Sequence, residues 1–143
     1  MKLSPPFLLR CGLSASAIFL KKSANTIGIM SLYDGKSFRA VVNAENGEVG
    51  SETVFHYHQD GNIVWAEYSG GSIAKGSIIA VVQPDDSLDM RYHHVNVSGD
   101  LMTGQCRSVP ERLDDGRLRM HETWQWTSGD QSSGQSVIEE VKG

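Results

Sequence analysis

The chain has 143 residues, 13 Lys+Arg against 17 Asp+Glu, and a formal net charge of −4. This length fits one domain, and 39% hydrophobic with 21% charged residues is enough to build a core. No apolar run approaches the roughly 18–20 residues of a membrane-spanning helix, and a negative balance without a basic block argues against a nucleic-acid partner.

The charge is unevenly placed. Lys2, Arg10, Lys21 and Lys22 are the only charged residues before Asp34, so residues 1–29 carry +4 and the remainder −8. The first segment is rich in serine and has no acidic residue. Arg10 interrupts the apolar stretch of about 7–15 residues that a secretory signal needs, although Ala15-Ser16-Ala17 has a cleavage-like form. Arg10 also precedes Cys11, where a lipoprotein signal requires a small residue. The Ser/Arg bias fits an organellar transit peptide, and Met30 offers a later start. Each reading places residues 1–29 outside the fold and leaves 30–143 as one domain. The expected location is the cytoplasm, or an organelle or the exterior if 1–29 is a genuine leader. Cys11 and Cys106 are too few for a disulfide framework, and Cys106 reads as a small buried hydrophobe.

From residue 35 onward turn signals recur. They are Asn46-Gly47, Asp60-Gly61, Ser69-Gly70-Gly71, Pro84-Asp85-Asp86, Ser98-Gly99-Asp100, Asp114-Asp115-Gly116 and Ser128-Gly129-Asp130. They separate eight segments near 37–43, 51–59, 62–69, 72–82, 87–97, 101–109, 117–127 and 134–141. Several segments alternate with period 2 and none repeats at 3.6, so all read as strands. The expected dry faces are Phe38, Ala40 and Val42; then Phe55 and Tyr57; then Val64, Ala66 and Tyr68; then Met102, Gly104 and Cys106. In 117–127 the dry stripe is Leu118, Met120, Trp124 and Trp126.

Eight consecutive antiparallel strands with no helix to cover them leave two edges and a bare apolar face. Closing the meander into a small all-β, up-and-down barrel removes both problems. Gly76 and Gly104 inside strands are expected at kinks or bulges, and Pro110 at the end of the sixth strand. An open sandwich is the structural alternative.

Polar residues on the dry face carry the functional signal. Glu122 lies between Met120 and Trp124, where a carboxylate must be hydrogen-bonded, paired or protonated. Tyr57, Tyr68 and Tyr92 offer hydroxyls to the same interior, and His94 shares the face of Tyr92. Trp124 and Trp126 supply an aromatic wall. His56 and His58 match half of a cupin-like metal motif, but no Glu follows at the right spacing and both face outward, so no metal site is expected. Gly71–Ser77 echoes a phosphate-binding loop without its lysine.

Residues 33–141 resemble a family of small bacterial proteins. The residues that carry the likeness are Phe38-Arg39, Asn46-Gly47-Glu48, Phe55-His56-Tyr57, Tyr68-Ser69-Gly70-Gly71, Arg91–Asn96, Leu101–Gly104 and Trp124–Asp130. Members of that family carry the name N-acetylglutamate synthase, which implies acetyl-CoA-dependent acetyl transfer to glutamate. Thr123–Gly129 is also similar to the penultimate strand of avidin-like barrels, where a Trp and a Thr-Ser-Gly turn recur, and this resemblance implies a small all-β barrel of the calycin or avidin-like kind. No residue-by-residue match to a biotin site accompanies it.

Three functions follow. The first is binding of a small, partly apolar ligand in the barrel mouth, with polar contacts from Tyr57, Tyr68, Tyr92, His94 and Glu122 against Trp124 and Trp126. The second is an enzyme, through the implied acetyl transfer or acid/base chemistry at Glu122 with His94. The third is an interaction module with a packed interior. A cavity below the few-hundred-Å³ scale of ligand sites speaks for packing. The expected partner is a small molecule, without cofactor, nucleic acid or membrane, and the oligomeric state is left open.

Overall fold

The computed structural model describes residues 31–142. The segment 1–29 and Cys11 lie outside the described residues. The eight expected strands form: β1 Ser37–Val42, β2 Val54–Asp60, β3 Ile63–Gly70, β4 Ile73–Val82, β5 Leu88–Asn96, β6 Leu101–Arg112, β7 Leu118–Trp126 and β8 Ser133–Glu140. Each pairs antiparallel with its sequence neighbours, and β8 returns to pair with β1, closing the barrel.

Alternation places the core. Phe38, Tyr57, Val64, Tyr68, Met90, Cys106, Leu118, Met120 and Ile138 are buried, while their strand neighbours face out. The turns work as their residue types demand. Gly61, Gly99, Gly116 and Gly129 adopt positive φ in the connections after β2, β5, β6 and β7, a conformation that costs glycine nothing sterically. The connection after β4 uses Asp86 at φ 69° instead.

Three expectations are corrected. Val42 does not face in: the β1–β8 register shifts between Ala40 and Val42, which leaves Val42 57% exposed. Pro110 does not end β6, which pairs onward through Arg112. Gly76 and Gly104 are not bulge residues. The β4 irregularity falls earlier, between Ile73 and Lys75, and both glycines instead lie beneath tyrosine rings that leave no room for a Cβ.

The two barrel ends differ. At one end the turn 31–35 inserts Tyr33, fully buried, against Tyr57 at 6.4 Å between ring centroids. Its hydroxyl donates to the Asp86 carbonyl, and Gln59 Oε1 accepts from its backbone N–H at 2.8 Å. This end is plugged. Over the other end folds the connection 43–53, longer than the other loops, and beneath it lies the site.

Candidate functional site

A half-open cavity of about 60 Å³ occupies the second end. At its floor Glu122 and Ser136 belong to a lateral row across three strands. Glu122 on β7 stands directly opposite Ser108 on β6 and Ser136 on β8. Ser108 Oγ donates to Glu122 Oε2 at 2.9 Å, and Ser136 Oγ approaches Oε1 at 3.5 Å. Glu122 is half-buried and faces the cavity. Burial raises its pKa to about 7, and the two serine hydroxyls only partly oppose the shift.

The wall is aromatic. Trp124 and Trp126, two residues apart on β7, face inward with centroids 5.7 Å apart. Tyr92 meets Trp126 edge-on at 5.7 Å. Phe55 stacks on Tyr68 at 5.1 Å. Burial pushes the Tyr68 and Tyr92 hydroxyls well above the ordinary phenol range, so both stay protonated.

The mouth is held by a polar chain. His94 is buried and lies between Tyr68 and Glu48, with Nδ1 2.8 Å from Tyr68 Oη and Nε2 2.7 Å from Glu48 Oε1. A carboxylate at Nε2 assigns the proton there, and Tyr68 then donates to Nδ1. Asn96 Nδ2 donates to Glu48 Oε2 at 2.9 Å. The same loop is tied at Asn46, whose carbonyl accepts from Trp126 Nε1 at 3.1 Å. Asn46 Nδ2 also donates to Ser132 Oγ and to the Ser133 carbonyl, each at 3.0 Å.

The structure brings Tyr68, Tyr92, His94, Glu122, Trp124 and Trp126 to one cavity. Tyr57 is not on its lining. It is packed toward the plugged end against Phe38 at 4.7 Å, and its buried hydroxyl has no hydrogen-bond partner. Cys106 does line the cavity, with burial raising its thiol pKa, so it is a poor nucleophile. His56 and His58 face outward, on Ser37 and Glu67, and among the described residues no three His, Cys, Asp or Glu side chains group as a metal site.

Glu48 and Asn96 were not legible as site residues. Asn46-Gly47-Glu48 carries a turn signal, and nothing local says that the turn folds over a barrel end. Ser108 and Ser136 were missed because a serine in a strand is unremarkable until a carboxylate is found across from it on the ladder.

A protein-family model described as avidin-like protein matches residues 31–141. The chain belongs to the avidin-like family. The match spans the whole barrel, from the plugging turn to the end of β8. It supports the avidin-like part of the resemblance drawn from Thr123–Gly129. The name N-acetylglutamate synthase finds no support in it. No curated protein and no solved structure matches the chain.

Proposed function

We propose that this avidin-like barrel binds a small ligand at its open end, above Glu122. The observation that carries the reading is a half-buried carboxyl group, hydrogen-bonded by two serine hydroxyls, at the floor of a mostly apolar, half-open cavity. Small-molecule sites have this character: mostly apolar walls with a few placed polar groups. Membership in the avidin-like family points the same way.

The volume sets the size of the occupant. About 60 Å³ lies below the few hundred Å³ of drug-sized sites, so the barrel is close to packed while the loop is down. An occupant is a group of a few heavy atoms, or the head of a larger molecule whose remainder stays outside. Residues Ala44, Gly47, Glu48 and Val49 form the loop side of the cavity, so lifting the loop enlarges it.

Thermal unfolding against a panel of small metabolites tests the reading. A ligand at about 100 times its Kd stabilises by about 2.7 kcal/mol. A hit whose effect is lost in Trp126→Ala supports the site. A panel that moves nothing, by unfolding or by tryptophan fluorescence, leaves the packed interaction module as the better description.

A further inference from the structure

We propose that the cavity takes a small organic ammonium ion, its charged head on Glu122 and its alkyl part against Tyr92, Trp124 and Trp126. This rests on the ligand-binding reading above and assigns its chemical class.

The charge inventory of the cavity is one-sided. Among the described residues, Glu48 and Glu122 are its only acidic lining residues, and neither Lys nor Arg lines it. Glu48 is already engaged, by His94 on one oxygen and Asn96 on the other. Glu122 has hydroxyl donors alone and, among the described residues, no cationic partner. Each of its oxygens accepts one serine hydrogen bond and retains a second acceptor direction. A buried carboxylate in this state gains most from a cation that brings its own N–H donors. Indole and phenol rings beside it add cation–π attraction, which strengthens where water is excluded. An anionic head would meet two carboxyl groups and neither Lys nor Arg. The 60 Å³ volume admits an ammonium head with a short alkyl substituent.

Binding of a cation must favour the ionised carboxylate. Affinity then rises with pH as Glu122 gives up its proton, near pH 7. The groups facing Glu122 from the packed strands are Tyr57 on β2, Tyr68 on β3, Tyr92 on β5 and Cys106 on β6, and burial holds all four protonated through that range. Ser108 and Ser136 flank it without titrating. The Glu48–His94 pair at the mouth is the other ionisable element of the site.

The experiment uses three probes of equal size and different charge: isopropylammonium, acetamide and acetate. Each has about four heavy atoms, so affinities in the millimolar range are the realistic scale. The full chain, ¹⁵N-labelled, is titrated at constant ionic strength near pH 5.5 and near pH 8.5, reading the Trp124 and Trp126 indole N–H signals. The expected result is a saturable response to isopropylammonium, about thirtyfold tighter at the higher pH, with the other two probes weaker. Glu122→Gln keeps the shape and removes the charge, and is expected to abolish both the affinity and its pH dependence.

Tighter binding of acetamide or acetate overturns the ammonium assignment while leaving a small-ligand site standing. Isopropylammonium binding that is unchanged near pH 5.5 or in Glu122→Gln also overturns it, since the cation would then sit elsewhere. Silence of all three probes, together with a silent metabolite panel, overturns both readings. If Glu122→Gln fails to fold, the pH dependence of the wild-type chain still decides the assignment.

Discussion

Tyr92 stands directly across the β5–β6 ladder from Gly104, and its ring fills the space that a Cβ at position 104 would take. Gly104 is also the partner of Trp126 on the other side. The bare glycine therefore lets Tyr92 lie flat across β6 and reach Trp126 edge-on. Tyr68 over Gly76 repeats the device. So does Trp124 over Gly134, where an added Cβ would come within 2.6 Å of the indole. Three aromatic-over-glycine pairs build the cavity wall, each with the ring laid over the facing strand.

Gly104→Ala is expected to destabilise the barrel by about 1–3 kcal/mol, the usual cost of overpacking a core. Truncating the ring in the same chain, as Gly104→Ala with Tyr92→Ala, is expected to recover part of that loss. Urea unfolding of the four-variant cycle measures the coupling. Additive effects would show that ring and glycine do not share the space.

Glu122 makes stability pH-dependent. Its folded pKa of about 7 lies above the ordinary value of 4.5. The native state therefore holds a proton that the unfolded chain releases, and this contribution is complete below about pH 4.5 and lost as pH rises through 7. The difference amounts to at most about 3 kcal/mol, reduced by whatever water the cavity admits. Glu122→Gln is expected to raise the melting temperature near pH 8.5 and to change it much less near pH 5. An equal change at both pH values would contradict the assignment.

The Tyr57 hydroxyl is buried without a partner. Removing an unsatisfied polar atom recovers its desolvation cost, so Tyr57→Phe is expected to stabilise by about 1 kcal/mol. Chemical denaturation reads this directly, and a loss of similar size would mean that the hydroxyl has a partner such as a bound water.

Glu48→Ala removes the acceptor for His94 and for Asn96 at once. A loss of about 1–3 kcal/mol is expected from the Nε2 of the buried His94 left unpaired. Hydrogen exchange should accelerate in the loop 43–53 while the strands keep their protection, because the loop is tied by these contacts and those of Asn46. Uniform acceleration would show that Glu48 supports the whole barrel instead.

Strand number, order and closure were legible because they rest on local rules. Period-2 alternation names the inner face of each strand, and a glycine or Asp at positive φ marks the turns. The argument that eight uncovered strands must close needs no coordinates. Where the local pattern was broken, reading failed: at Val42 a register shift turned the side chain outward, and at Pro110 the ladder ran on.

By itself the sequence determined a barrel and put Tyr68, Tyr92, His94, Glu122, Trp124 and Trp126 inside it, since inward direction is a property of a single strand. Only the tertiary structure decided which end is plugged, which excluded Tyr57 from the cavity, brought Glu48 and Ser136 to it, and set Asn96 and Ser108 behind its two carboxyl groups. Those relationships depend on register between strands and on the path of one long loop. The rise of the Glu122 pKa to about 7 is likewise a property of enclosure, which no single strand possesses. The opening figure of −4 thus matters less for the site than two carboxyl groups with neither Lys nor Arg beside them.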